Sequence, residues 1–114
     1  MSQSCIFCRI AAKEVAAGLV HDDGEVVAFR DLSPQAPTHV LVIPKRHVSS
    51  LNDMVDADAQ LLGSMMLVAK KVAQEAGLAS GYRIVTNLGT HGGQSVAHFH
   101  LHVLGGRPMS WPPG

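Results

Sequence analysis

The segment His98-Phe99-His100-Leu101-His102-Val103-Leu104 sets three imidazoles at alternate positions of an otherwise apolar run. Successive side chains of a strand point to opposite faces, so every second residue recurs on one face after ~6.6 Å. His98, His100 and His102 are therefore expected on one side, and Phe99, Leu101 and Val103 on the other. The apolar set is expected to pack on a helix, leaving the imidazoles on an opposite, accessible surface. A solvated polar face that happens to use histidine is the simplest reading. A metal site needs ring nitrogens to converge within ~2.1 Å of one point. A catalytic array needs a neutral imidazole as nucleophile and neighbours that fix its tautomer. His100, flanked on both sides, suits the nucleophile.

The preceding loop favours the catalytic array. In Gly92-Gly93-Gln94-Ser95 the glycines let backbone approach a ligand closely, and an amide and a hydroxyl follow. Glycine-rich turns beside a strand make concavities for anions such as phosphate. The chain has no P-loop lysine pattern, which argues against a nucleoside triphosphatase of that kind.

Cys5 and Cys8 form a C-x-x-C pair and are the only cysteines. The N-terminal stretch lacks a basic leader with a long apolar run, and no run reaches the ~20 apolar residues of a membrane span. A cytoplasmic location is expected, and there such a pair suggests metal binding or redox chemistry before a structural disulfide.

These groups must be positioned by a small number of elements. Residues 5–14 suit a short helix, with Ile6, Phe7 and Ile10 on one face and Gly18 beyond it. Residues 19–32 read as two strands meeting at a tight Asp-Gly turn. Residues 38–44, Thr-His-Val-Leu-Val-Ile-Pro, read as a central strand. Helical spacing of Leu61, Met65, Val68 and Val72 predicts a long helix over 56–76, capped by Asp56 or Asp58 and stopped by Gly77. Residues 81–89 and 97–104 read as further strands, and an irregular tail closes the chain. The sum is an α+β domain, an antiparallel meander of about five strands with one long and one short helix.

The 114 residues fit a single domain over 1–114, with a flexible N-terminus at 1–4 and a C-terminal tail at 105–114. Nine basic and nine acidic side chains cancel, so composition supplies no pull toward nucleic acid or an anionic membrane, and neither is expected as a partner.

The triad segment, together with "AFRDLSPQAPTHVLVIPKRHVSSL", "GYRIVTN", "GGQSVAHFHLHVLGGRPMSW" and the terminal "WPPG", resembles the purine nucleoside phosphoramidase branch of the histidine triad (HIT) superfamily. The resemblance runs from Cys5 onward. It implies hydrolysis of the P–N bond in adenosine phosphoramidates, including AMP joined to an amine such as lysine. His100 would attack the α-phosphorus, forming a nucleotidyl-histidine that water resolves to AMP, with no metal in that chemistry. Carried over residue by residue, it implies that His102 faces the phosphate and that His39 backs the triad. Asn87, Gly93, Gln94 and Ser95 would surround the phosphate and leaving group. Asp31 would bond the ribose, and Phe29 and Leu32 would wall the base. It also implies a homodimer with one continuous sheet, and a Trp111 that reaches the partner's site. The cysteine pair resembles that of bacterial members instead, which implies a structural zinc on Cys5, Cys8, His47 and His98. A dinucleoside polyphosphate hydrolase and a nucleotide-binding interaction module are the alternative functions.

Overall fold

The computed structural model describes residues 4–114. Of the N-terminal segment expected at 1–4, all but Ser4 lies outside the described residues. Helix α1 spans Ile6–Ala11 and helix α2 Ala59–Glu75; the strands are β1 Leu19–Asp22, β2 Val26–Arg30, β3 Thr38–Pro44, β4 Tyr82–Val85 and β5 Leu101–Gly105. All pairings are antiparallel. The expected α+β class with five strands, one long and one short helix is what the chain forms. The order is β1-β2-β3-β5-β4, so the meander holds through β3 and then departs: β5 enters between β3 and β4.

The Asp-Gly turn joins β1 to β2, with Gly24 at φ 93°, a left-handed conformation that glycine adopts without strain. The continuous apolar run of β3 reflects cover on both faces of a central strand. Val40 and Val42, with Val26, Ala28, Leu101 and Val103, pack on Met65, Val68, Ala69, Val72 and Ala73 of α2. The odd-numbered Val27, Phe29, Leu41 and Ile43 face the other way and meet Phe7, Ile10 and Ala11 of α1. Two small cores thus sandwich the sheet.

Helix α2 starts later than expected. Asp56–Asp58 form a 3₁₀ turn, and Asp58 sits at the helix N-cap without a capping bond. Its carboxylate accepts from the Val55 N–H at 2.9 Å and from Arg46 at 2.8 Å. The last strand is also shorter than expected, because residues 98–100 direct their polar groups away from the ladder. The Phe99 N–H bonds the Val48 carbonyl, and the Thr86 hydroxyl donates to the His100 carbonyl at 2.9 Å.

Candidate functional site

The alternation of the histidine segment survives this irregular entry. Phe99, Leu101 and Val103 lie in the α2-side core. The three imidazoles face the α1 side, but that side is not openly accessible: His98 is 0% exposed and His100 4%. The accessible surface expected for them is corrected here by Phe7, whose ring packs edge-on against His98 and His100 at centroid distances of 5.8 and 5.1 Å.

His39, His98 and His100 are each held in one tautomer by a backbone group, and His102 is held by His39. His100 Nδ1 lies 2.7 Å from the His98 carbonyl, which only accepts, so Nδ1–H donates and in the neutral ring the lone pair is on Nε2. The Gln35 N–H donates to His39 Nδ1 at 3.0 Å, which places the His39 proton on Nε2. That nitrogen lies 2.9 Å from His102 Nδ1 and donates to it. His102 therefore carries its own proton on Nε2, free to meet an incoming oxygen. The β3–β5 register creates this pair: His39 stands opposite Leu104, so His102 is its diagonal neighbour.

Asp31 follows β2, with one carboxylate oxygen 3.5 Å from His39 Nε2 and the other accepting the Ser33 N–H at 2.7 Å. Burial pushes the His39 and His102 imidazoles down, His102 to about 4, with Asp31 opposing in both cases and the neighbouring His100 and His39 adding to the shift at His102. These two rings are therefore neutral donors and acceptors at neutral pH.

A cavity of about 270 Å³ opens onto His100 and His102. Ile6, Phe7, Phe29, Leu41 and Val96 form its apolar wall, and Asp31 and Ser95 add polar groups. Its volume lies near the lower end for small-molecule sites, and its make-up, apolar with few convergent polar groups, is what such sites have. Phe29 is both core and wall, 4% exposed and edge-on to Phe7 at 5.4 Å. Leu32 stands at the rim, 96% exposed.

The loop expected to cradle phosphate is built mainly by its own amides. Asn87 Nδ2 donates to the Gly92 carbonyl at 2.6 Å. Gln94 accepts the Gly89 N–H at 3.0 Å and donates to the carbonyls of Ser49 and Val96. Both side chains buttress the loop, and Ser95 is the member of that group that lines the cavity. Gly92 is required sterically, since a Cβ there would lie 2.2 Å from the Leu88 oxygen; Gly93 has φ 77°. Trp111 is 81% exposed and does not line the cavity of its own chain.

The four residues Cys5, Cys8, His47 and His98 come together, with one ligand atom from each within 4.8 Å of all the others. Cys5 Sγ lies 3.3 Å and Cys8 Sγ 3.5 Å from His98 Nδ1; His47 Nδ1 lies 3.3 Å from Cys8 Sγ and 3.2 Å from His98 Nδ1. His98 Nε2–H donates to the Pro44 carbonyl at 2.8 Å, so its Nδ1 lone pair faces the sulfurs. A backbone carbonyl behind the ring is how metal-ligating histidines are oriented. Burial and the adjacent Cys5 push the Cys8 thiol up to about 11, an arrangement that a divalent cation reverses. Two thiols and two imidazoles fit zinc, and their number fits a closed structural site.

Asp31, His39 and His102 also lie within that mutual distance. They do not form a comparable site, because the Gln35 N–H occupies the lone pair of His39 Nδ1 and leaves a proton on the nitrogen facing the cluster. Sequence reasoning found every imidazole and thiol here. It missed Phe7, Thr86, the Gln35 N–H and the Pro44 carbonyl, of which only Phe7 carries a signal, its place on the apolar face of α1.

Fold and site together define a small α+β protein with a histidine array over a ligand cavity and a separate thiol–imidazole cluster. A family profile described as "Scavenger mRNA decapping enzyme C-term binding" matches residues 4–111. The chain is 46% identical, over the whole length of both chains, to an uncharacterized HIT-like protein of Synechococcus elongatus. It is similar to the crystal structure of a HIT family hydrolase from Legionella pneumophila, with 53% identity, TM-score 0.95, and 97% of this chain and 100% of that one covered. A Zn-bound histidine triad family protein from Mycobacterium smegmatis is 32% identical at TM-score 0.82, covering 94% of this chain and 78% of that one. The protein belongs to the histidine triad family.

Proposed function

We propose that the protein hydrolyses the P–N bond of purine nucleoside 5′-phosphoramidates of the AMP-lysine type. The observation that carries this reading is the 2.7 Å bond from His100 Nδ1 to the His98 carbonyl, which in the neutral ring puts the lone pair on Nε2, at a cavity. The hydrolase named in the Legionella neighbour is consistent with it.

The base enters between Phe29 and Leu32, the ribose meets Asp31, and the phosphate lies against His100 and His102. His100 Nε2 attacks the α-phosphorus; the P–N bond breaks, and the departing nitrogen takes a proton from solvent water and leaves as the amine. Dividing one displacement into two is what a histidine nucleophile offers. His102 Nε2–H donates to the oxygen on which charge develops, preorganised by His39. Ser95 is placed near the leaving group, and Asn87, Gly93 and Gln94 shape the loop that closes over it. Water then attacks the phosphorus of the nucleotidyl-histidine and releases AMP.

Zinc on Cys5, Cys8, His47 and His98 serves structure in this reading: it ties α1 to the sheet and takes no part in the reaction. The β4 edge, Tyr82–Val85, is the side on which a second copy extends the sheet into a homodimer, bringing Trp111 toward the partner's cavity. Light scattering tests that assembly.

The decisive assay offers a fluorogenic AMP-phosphoramidate and diadenosine polyphosphates to wild type and to His100→Ala. Turnover of the phosphoramidate, lost in the variant, with an adduct on His100 trapped in acid, is expected. Preference for the polyphosphates moves the protein to a dinucleoside polyphosphate hydrolase. AMP binding without turnover of either makes it a binding module.

A further inference from the structure

The thiol–imidazole cluster lies against the surface, and it is joined to the nucleophile through His98 and Phe7. Cys5 and Cys8 are both half-buried, and His47 is exposed. A cleft of about 300 Å³ lined by Cys8, Arg9, Lys45 and His47 opens on one side. Another of about 430 Å³, lined by Cys5, His47, Ser49 and Ser95, opens on the other. A molecule the size of water or peroxide reaches either sulfur.

We infer that Cys5 and Cys8 form a reversible disulfide under peroxide, and that this expels the metal and disables the histidine array. Cys5 is the N-cap of α1, and the Cys8 N–H, three residues on, points at its Sγ from 3.4 Å. Cα atoms at i and i+3 about a helix start lie ~5 Å apart, inside the ~4.4–6.8 Å range that a disulfide spans, and the Cβ atoms close from the ~5–6 Å of that spacing to ~4 Å by a small adjustment of the first turn.

The two states exclude one another. In a tetrahedral zinc site with ~2.3 Å bonds the sulfurs stand ~3.8 Å apart; a disulfide draws them to ~2.05 Å and removes the thiolate charge. One thiolate attacks the peroxide O–O bond, becoming a sulfenic acid and releasing hydroxide, which takes a proton to give water. The second thiolate attacks that sulfur and displaces a second hydroxide, protonated in turn. Two sulfurs are oxidised by two electrons in all, hydrogen peroxide is reduced to two waters, and the metal leaves as the dication.

The consequence reaches the cavity by two routes. His98 loses both sulfur partners of its Nδ1, and its carbonyl is the acceptor that holds His100 Nδ1–H. Phe7 lies between the two cysteines and packs on His100 at 5.1 Å, so a shift of this turn moves the ring that covers the nucleophile. The effect on turnover rests on His100 being the nucleophile; the disulfide and metal release do not.

The test uses wild-type protein loaded with zinc and treated with stoichiometric hydrogen peroxide. Released zinc is read with a chromophoric chelator, free thiols by alkylation and mass spectrometry, and turnover with the fluorogenic phosphoramidate. About one equivalent of zinc should leave, the peptide carrying Cys5 and Cys8 should resist alkylation and be two hydrogens lighter, and turnover should fall at least tenfold. Dithiothreitol with added zinc should restore both readouts. Failure to load zinc, alkylatable thiols with zinc retained, or sulfinic acids in place of the disulfide would overturn the inference. A disulfide with undiminished turnover would overturn the link to the array. Reduced, zinc-loaded protein that turns over nothing would instead refute the proposed activity, and the first two readouts would still judge the disulfide.

Discussion

His39 touches none of the reacting atoms, yet its replacement should be felt in both catalysis and stability. Its side chain is 4% exposed and joins two hydrogen bonds end to end, Gln35 N–H to Nδ1 at 3.0 Å and Nε2–H to His102 Nδ1 at 2.9 Å. His39→Phe keeps a flat aromatic ring, somewhat larger than imidazole, and removes both. The Gln35 N–H loses its acceptor, at ~1–3 kcal/mol, and melting should fall by roughly 4–12 °C for a domain of this size. His102 loses the bond that keeps its proton on Nε2. Losing that preference alone costs ~0.5–1.5 kcal/mol, and losing the phosphate donor entirely costs ~2.7–4 kcal/mol. The fall in kcat should therefore lie between about 2-fold and several hundred-fold, with KM little changed. His39→Gln supplies an acceptor oxygen and a donor amide in the same sense and should recover most of kcat. The assay is steady-state phosphoramidate turnover beside thermal unfolding. Undiminished kcat in His39→Phe, or a Gln variant no better than the Phe variant, refutes the tautomer argument.

Gly92→Ala places a Cβ 2.2 Å from the Leu88 oxygen, so the loop must open; we expect ~1–3 kcal/mol lost in urea unfolding and at least tenfold in kcat/KM. Met65→Ala, at a position 0% exposed between α2 and the sheet, should cost ~2–5 kcal/mol in the same measurement with kcat unchanged in the folded fraction. The His102 pKa is about 4 in the folded chain, below its ordinary 6.5, so its contribution to stability is present above pH 6.5 and is lost as pH falls toward 4. Discounted for partial solvent exposure, that is on the order of 1–2 kcal/mol, seen as a steeper loss of stability from pH 7 to pH 4.5 in wild type than in His102→Gln.

Local chemistry made much of this protein legible in one dimension. Thr38–Pro44 forms the strand its β-branched run predicts, because a central strand covered on both faces has little other use for such residues. The Asp-Gly turn and the periodicity of α2 are equally local, and so is the segregation of Phe99, Leu101 and Val103 from the histidines. Family resemblance, more than spacing, joined Cys5 and Cys8 to His47 and His98, since residues so far apart in the chain share no periodicity.

Folding settled what depends on partners remote in sequence. Whether β5 pairs with β4 alone or enters beside β3 is a choice between sheet edges, and it decides that His39 meets His102. The cover of Phe7 over His98 and His100 arises only when α1 docks on the second core. Above all, the side chains name the imidazoles but not their tautomers. Those are set by the carbonyls of His98 and Pro44 and the N–H of Gln35, groups that every peptide unit carries and that acquire meaning only by position.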